Sequence, residues 1–355
     1  MRKPATTKAS HETHQPVRLG FVPLLDAAPL LLARQMEFFE RQGLRVILQP
    51  ELGWASIREK LLYGELEAAH APAVMALSMQ LGLQSRACPV VADLILSRQG
   101  NAITLSKELW QKGVRDGRSF SLAVRSEVPR RFVFAVVSIF SSHHFLVRQW
   151  LVRHGVNPET DIRFVVLPPN LMCEHLREGN IDGYCAGEPW NSTAVLSGDG
   201  WIVADSEEIA PRHPEKALVA RADFSISRPE ACQGLRRALA EACQWCDAPG
   251  HRPVVAQALE ASGYFDLPLK VLANSLTGTM DRGAGRSRKA DGFIRYSDGS
   301  PLQADEWSCR QILDQARSLG LPALPAQLNI TLARKLFLPA VRGRERQPQR
   351  MEIPS

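Results

Sequence analysis

The chain has 355 residues, 45% of them hydrophobic, 23% charged and 7% aromatic, the balance of a globular protein with enough apolar material for two domains or lobes. Such a composition excludes a disordered chain, a fibre and a disulfide-stapled miniprotein. The formal charge of +6 sits at the margins: residues 1–16 and the tail from 341 carry +2 each and residues 281–295 carry +3, leaving the body near −1. A nucleic-acid groove draws its Lys and Arg from folded elements with aromatics between them, so no direct nucleic-acid partner is expected.

The amino terminus lacks the apolar stretch of about 7 to 15 residues that a secretory signal needs, and no apolar run reaches the roughly 18 residues of a membrane span. A cytoplasmic location is the expectation. Seven cysteines, Cys88, Cys173, Cys185, Cys232, Cys243, Cys246 and Cys309, show no repeated spacing, as reduced thiols would. Cys243 and Cys246 fall inside a helical pattern, where they read as small buried residues, and no second CxxC completes a zinc site.

From Val17 the chain alternates β-branched or apolar runs with helical patterns, the signature of an α/β protein. VRLGFV (17–22) reads as a strand, residues 28–42 as an amphipathic helix stopped by Gly43, and LRVILQP (44–50) as a strand. The helix ASIREKLLYGEL, the short strand EAAHAP and the helix AVMALSMQLG follow, then VVADLIL and NAITLS. SLAV, a long helix from about 131 to 154, IRFVVLP, the helix NLMCEHLREG, DGYCAG, a helix around 188–197, WIVAD and KALVAR repeat the rhythm. Beyond residue 225 the pattern is mostly helical (229–248, 252–262, 304–319). The Gly-, Arg- and Ser-rich stretch GTMDRGAGRSRKADG reads as a mobile surface loop within 277–300. Residues 1–16 and 339–355 read as a disordered arm and tail.

No GxxxxGK[ST] loop, no GxGxxG after a strand and no HExxH occurs, so nucleotide-driven, dinucleotide and zinc-protease mechanisms lack their minimal parts. No metal or cofactor is expected. Gly183–Gly187 spells GYCAG, a match to a GxCxG nucleophile elbow between a strand and a helix; it would need His213 or His251 as its base, and a buried thiol in a tight strand-to-helix turn is the expected reading. Several strand ends instead lead into helix starts, the crevice where α/β proteins bind ligands and where free N–H groups favour anions. These turns carry Trp54, Asn101, His143 and His144 beside Ser141 and Ser142, and Lys216. Donors without matching acceptors suit a small anion.

GFVPLLDAAPLLLARQMEFFERQGL, GWASIREKLLYGELEAAH, GNAITLS, VLPPNLMCEHLREGNIDGYCAGEPWNSTAV and HPEKAL together resemble the nitrate/bicarbonate-type substrate-binding proteins of ABC importers, over about residues 17–320. SSHH after FAVVSIF is similar to a cytoplasmic nitrate/nitrite sensor branch of that family, whose members hold an RNA-binding antiterminator of the ANTAR type. The resemblance implies a type II periplasmic-binding-protein fold, with residues 17–110 in lobe I, 111–221 in lobe II and 222–338 returning to lobe I. It also implies that Trp54, Asn101, His143 and Lys216 contact nitrate or nitrite while Glu188 and Trp190 shape the cleft. AHAPAV at 69–74, Ile139-Phe140 before SSHH, and Asn101 in place of a longer Gln depart from the family pattern, so one wall of the cleft should differ. The leading expectation is a non-enzymatic cytoplasmic nitrate/nitrite sensor that releases its antiterminator when ligand binds; the alternatives are the solute receptor of an anion importer and an enzyme on the same bilobal frame.

Overall fold

The computed structural model describes residues 15–83, 85–297, 303–320 and 325–338. Thirteen strands are present among them: β1 (Val17–Phe21), β2 (Val46–Pro50), β3 (Ala68–Pro72), β4 (Val90–Gln99), β5 (Asn101–Ser106), β6 (Phe132–Val136), β7 (Ile162–Val166), β8 (Gly183–Gly187), β9 (Gly200–Asp205), β10 (Pro214–Arg221), β11 (Thr279–Gly283), β12 (Arg286–Lys289) and β13 (Ile294–Arg295). They form a six-stranded sheet of order β13-β4-β10-β3-β1-β2, a five-stranded sheet of order β7-β6-β8-β5-β9, and a β11–β12 hairpin.

Each large sheet contains one strand that crosses from the neighbouring lobe. In the first, β10 runs antiparallel between β3 and β4; in the second, β5 runs antiparallel between β8 and β9. The lobe boundaries therefore fall near Gly100 and residues 206–213, and they correct the sequence-based division: β5 belongs to the second lobe and β10 to the first. The sequence conceals the first crossing because only Gly100 separates β4 from β5. Gln99 and Gly100 have φ of 61° and 85°, and at the other crossing Arg212 has 61°, so both crossings turn through left-handed backbone. A Cβ on Gly100 would lie 2.8 Å from Ile294 Cγ1, which restricts that turn to glycine.

SLAV forms no strand. It lies in the helix Gly117–Ser126, started by a capping box from Asp116 and Ser119. The long helix expected over 131–154 divides into β6 and the helix Ser142–Arg153, because FVFAV is buried on both faces by parallel pairing with β7 and β8, and Ser141 Oγ then caps the helix by accepting from His144 N. The helix expected over 28–42 ends at Gln35 and restarts at Phe38, with Glu37 at φ 57° between them.

The stretch expected to be a mobile loop is the β11–β12 hairpin as far as residue 289. Its arginines reach acids of the second lobe: Arg282 donates to Glu208 at 2.8 and 3.2 Å, Arg288 to Asp205 at 2.5 Å and Glu207 at 2.7 Å. Composition alone reads as loop here because the acids that order it stand more than seventy residues earlier. Gly283, at φ 79°, lets the hairpin lie on Trp201, whose Cβ is 3.0 Å from where a glycine Cβ would be. The charged arm and tail expected at 1–16 and 339–355 lie almost wholly outside the described residues.

One apolar cluster, with Phe120, Phe132, Phe134 and Trp150, fills the second lobe. Another runs across both sheets, joining Leu24, Trp54 and Ala71 to Ala135, Tyr184 and Ala186. The lobes are thus packed together along a buried seam. Among the described residues no helix is long and apolar enough to cross a membrane.

Candidate functional site

Both crossing strands deliver polar side chains to this seam. Neighbouring residues on a regular strand point to opposite faces, but the register of β10 against β4 shifts at Lys216, and such a bulge re-aims side chains. Glu215 and Lys216 consequently serve one site, with Lys216 Nζ 2.5 Å from Glu215 Oε1. Lys216 Nζ also lies 2.7 Å from Asp26 Oδ2, so one ammonium bridges two carboxylates. All three side chains are buried.

Glu215 collects donors on both oxygens. His143 Nε2 lies 3.2 Å from Oε1, while Asn101 Nδ2 donates to Oε2 at 2.6 Å and His213 Nε2 lies 3.1 Å from it. Burial by itself would push this carboxyl up, but the Lys216 charge and the hydrogen bonds from His143 and His213 outweigh it and hold the group well below the usual carboxylate range. Lys216 responds in the same way: burial lowers it, the charges of Asp26 and Glu215 more than offset that, and the ammonium is retained. Burial holds His143 below its ordinary value and His70 down to about 4, so both rings are neutral near pH 7. His70 Nε2 sits 3.1 Å from the Asp26 carbonyl oxygen.

Trp54 opens the helix Trp54–Leu62 behind Gly53. Its ring meets His143 edge-on at 5.9 Å between centroids and lies 5.3 Å from Lys216 Nζ, a cation–π distance. Around this group several buried polar atoms have no hydrogen-bond partner: Trp54 Nε1, Asn101 Oδ1, His143 Nδ1, His70 Nδ1 and Asp26 Oδ1, the last 3.6 Å from His70 Nε2. Buried polar atoms are nearly always paired, and an unpaired set of donors and acceptors around one buried charge marks a place built for a polar ligand.

Four sequence-predicted residues, Trp54, Asn101, His143 and Lys216, thus come together. Glu188 lies at the edge of the same seam. Its carbonyl accepts from Leu25 N at 2.8 Å, one residue from Asp26, and its Oε2 accepts from Ser192 N at 3.0 Å, while Oε1 has no partner. Burial raises its carboxyl to about 7 against the opposing Ser192 bonds. Trp190 is half-buried on the apolar wall, packed on the cluster that contains Trp54, and its carbonyl accepts from Tyr184 Oη at 2.7 Å. His144 turns away, with Nδ1 3.1 Å from the Ile139 carbonyl and its ring against Phe164.

The expectation of donors without matching acceptors is corrected: Glu215 and Asp26 are the acceptors. Asp26, His70 and Glu215 are the site residues that sequence reasoning missed, and His213, named there only as a possible base for Cys185, joins them; Glu215 and His213 stand inside the HPEKAL segment and His70 inside the departure AHAPAV. Cys185 lies in the core of the second lobe, and burial raises its thiol well above the ordinary range, an inert setting for a sulfur nucleophile. Among the described residues no group of three or more His, Cys, Asp and Glu side chains is arranged to hold a metal ion.

The NMT1-like family matches residues 10–260. The bicarbonate transport ATP-binding protein CmpC of Synechococcus elongatus is 35% identical over 279 residues, 78% of this chain and 42% of that protein. The nitrate/nitrite binding protein NrtA of the same organism is 32% identical over 286 residues, 77% of this chain and 64% of that one. The chain spans about two-fifths of the length of the ATP-binding relatives it matches. Among solved structures, the periplasmic nitrate-binding protein NrtA from Synechocystis PCC 6803 superposes with a TM-score of 0.83 at 25% identity, covering 90% of this chain and 85% of that one. The two lobes are those of the periplasmic-binding-protein fold expected from the sequence, and the chain belongs to the NMT1-like family.

Proposed function

We propose that this chain binds a small planar oxyanion of the nitrate or bicarbonate kind and serves as the solute-binding component of an ABC importer. The observation that carries the reading is the fully buried Lys216 ammonium in the seam between the lobes, with the N–H donors of Asn101 and His143 converging beside it and the indole N–H of Trp54 left without a partner. Nitrate and bicarbonate are flat, singly charged and rich in acceptor oxygens. Charge-assisted hydrogen bonds to such oxygens are the strong ones, and burial in the seam strengthens them further. The relatives support the class of ligand, since one is named for bicarbonate transport and another for nitrate and nitrite binding.

The sensor reading, in which the chain holds an ANTAR-type antiterminator in the cytoplasm until nitrate or nitrite binds, rests on the SSHH segment. The importer reading has the named relatives behind it and is the stronger. Calorimetric titration with nitrate, nitrite, bicarbonate and sulfate tests the ligand class: saturable binding of one of the first three, with sulfate weaker, is expected. Four titrations without saturable heat would overturn it. An antiterminator complex that saturating nitrate dissolves would restore the sensor in place of the importer.

A further inference from the structure

Asn101, His143 and Lys216, the donors that the sequence assigns to a ligand, all end on one side chain of the protein itself. We infer that Glu215 is a tethered competitor for the ligand: its carboxylate occupies the oxyanion position of the cleft through Asn101, His143 and Lys216, and a free anion binds only by turning it out. The inference rests on the anion-binding reading above.

A carboxylate is planar and singly charged, with two oxygens that accept in the plane, so it copies two-thirds of a nitrate or bicarbonate ion. The copy is well made, since N–H donors of Lys216, Asn101 and His143 reach both oxygens at 2.5 to 3.2 Å, and His213 Nε2 lies 3.1 Å from Oε2. Its anchor is a bulged segment of a strand that crosses between the lobes. Like charge favours displacement as well. The Asp26 and Glu215 carboxylates flank the Lys216 ammonium and the His143 ring beside them is neutral, so an anion added beside Glu215 would meet a carboxylate at close range.

Two of its partners keep other anchors when Glu215 leaves. Lys216 stays on Asp26 at 2.7 Å, and His213 stays anchored by Nδ1 at 3.0 Å from the Ala210 carbonyl. The incoming ion gains what Glu215 lacks, a third oxygen for the partnerless Trp54 N–H. That difference makes Glu215 a filter. A three-oxygen anion outcompetes it, whereas a two-oxygen anion such as formate offers only what the tethered group already supplies.

The test titrates nitrate, bicarbonate and formate into the parent, Glu215→Gln and Glu215→Ala proteins, with melting curves to show that each is folded. Glu215→Gln keeps the shape but loses the charge and half of the acceptor capacity. It should bind nitrate or bicarbonate more tightly than the parent by about 5-fold or more, the lower end of coupling between linked occupants. Formate should raise the melting temperature of Glu215→Ala and leave the parent unmoved. Parent binding that Glu215→Gln leaves equal or weakens, or formate that acts on parent and Glu215→Ala alike, would overturn the inference while leaving the anion-binding reading intact. Formate uptake by Glu215→Ala alone, with no protein binding nitrate or bicarbonate, would uphold the tethered carboxylate and overturn the ligand class instead.

Discussion

Glu215 and Lys216, neighbours in the chain, bond to each other over 2.5 Å inside a protein that exposes neither. The bulge in β10 makes this possible by bringing two consecutive side chains to one face, and Asp26 completes the group from the other side of the ammonium. The ammonium compensates both buried carboxylates.

Removing that ammonium should therefore be costly. Lys216→Met leaves two buried carboxylates uncompensated, and the expected loss is about 3 to 5 kcal/mol of unfolding free energy. Adding Asp26→Asn to Lys216→Met should recover part of it. Urea denaturation of the parent, single and double variants decides the matter; a Lys216→Met protein as stable as the parent would show that the carboxylates are not held by this charge.

Trp54 separates binding from stability. Its Nε1 has no hydrogen-bond partner in the described structure, so Trp54→Phe keeps an aromatic ring beside His143 while removing the orphaned donor together with part of a buried ring. The melting temperature should fall only modestly, because relief of the unpaired donor offsets part of the packing lost with the smaller ring, and anion affinity should fall by about one hydrogen bond, roughly 0.5 to 1.5 kcal/mol. Melting curves and titrations on the same sample check both halves. Unchanged affinity would place the ligand away from the indole.

Stability should depend on pH in two opposing ways. Burial holds His70 and His144 down to about 4 from 6.5, so between those values the unfolded chain takes up protons that the folded chain does not, and acidification destabilises. Glu188 is raised to about 7 from 4.5; in that window the folded chain keeps a proton the unfolded chain has lost, and raising the pH destabilises. Glu188→Gln removes only the second contribution. Its gain in melting temperature between pH 5 and pH 7 should exceed the parent's, and an equal or smaller gain would contradict a buried, protonated Glu188.

The hairpin makes a prediction about salt. Arg288 bridges Asp205 and Glu207, and Arg282 bonds Glu208, so the β11–β12 segment is tied to the second lobe by partly buried charge. Arg288→Ala should cost about 1.5 to 3 kcal/mol at low salt, the range for hydrogen bonds to charged groups, and the difference should narrow near 1 M salt, where screening reaches about 3 Å. Urea melts at the two ionic strengths measure it. A variant that matches the parent at low salt would show that the hairpin is held by its apolar contacts alone.

The alternation of strands and helices was legible in the sequence because hydrophobic period survives folding, and β1, β2, β3, β8, β9 and β10 stand within a residue or two of their expected places. FVFAV misled because a strand buried on both faces has the same continuous apolar look as a buried helix. The donors of the site were legible as residue types at strand ends. Their acceptors were not, since Glu215 beside Lys216 reads as two residues on opposite faces until the bulge turns them together. Asp26 reads as a helix-start acid, and His70 becomes polar lining only when β3 meets β10 in register, with Leu218 opposite it. The lobe crossings were hidden for a similar reason: a one-residue turn at Gly100 leaves no break in the pattern.

The central claim is that an oxyanion binds where Asn101, His143 and Lys216 converge. Asn101→Asp tests it most directly, because the substitution keeps the side chain's size and replaces its one N–H donor to that position with a negative charge. Titrated with nitrate and bicarbonate, the parent should bind at least one of them saturably while a cooperatively melting Asn101→Asp protein binds neither. Equal binding by the two proteins, or no binding by the parent, would contradict the account.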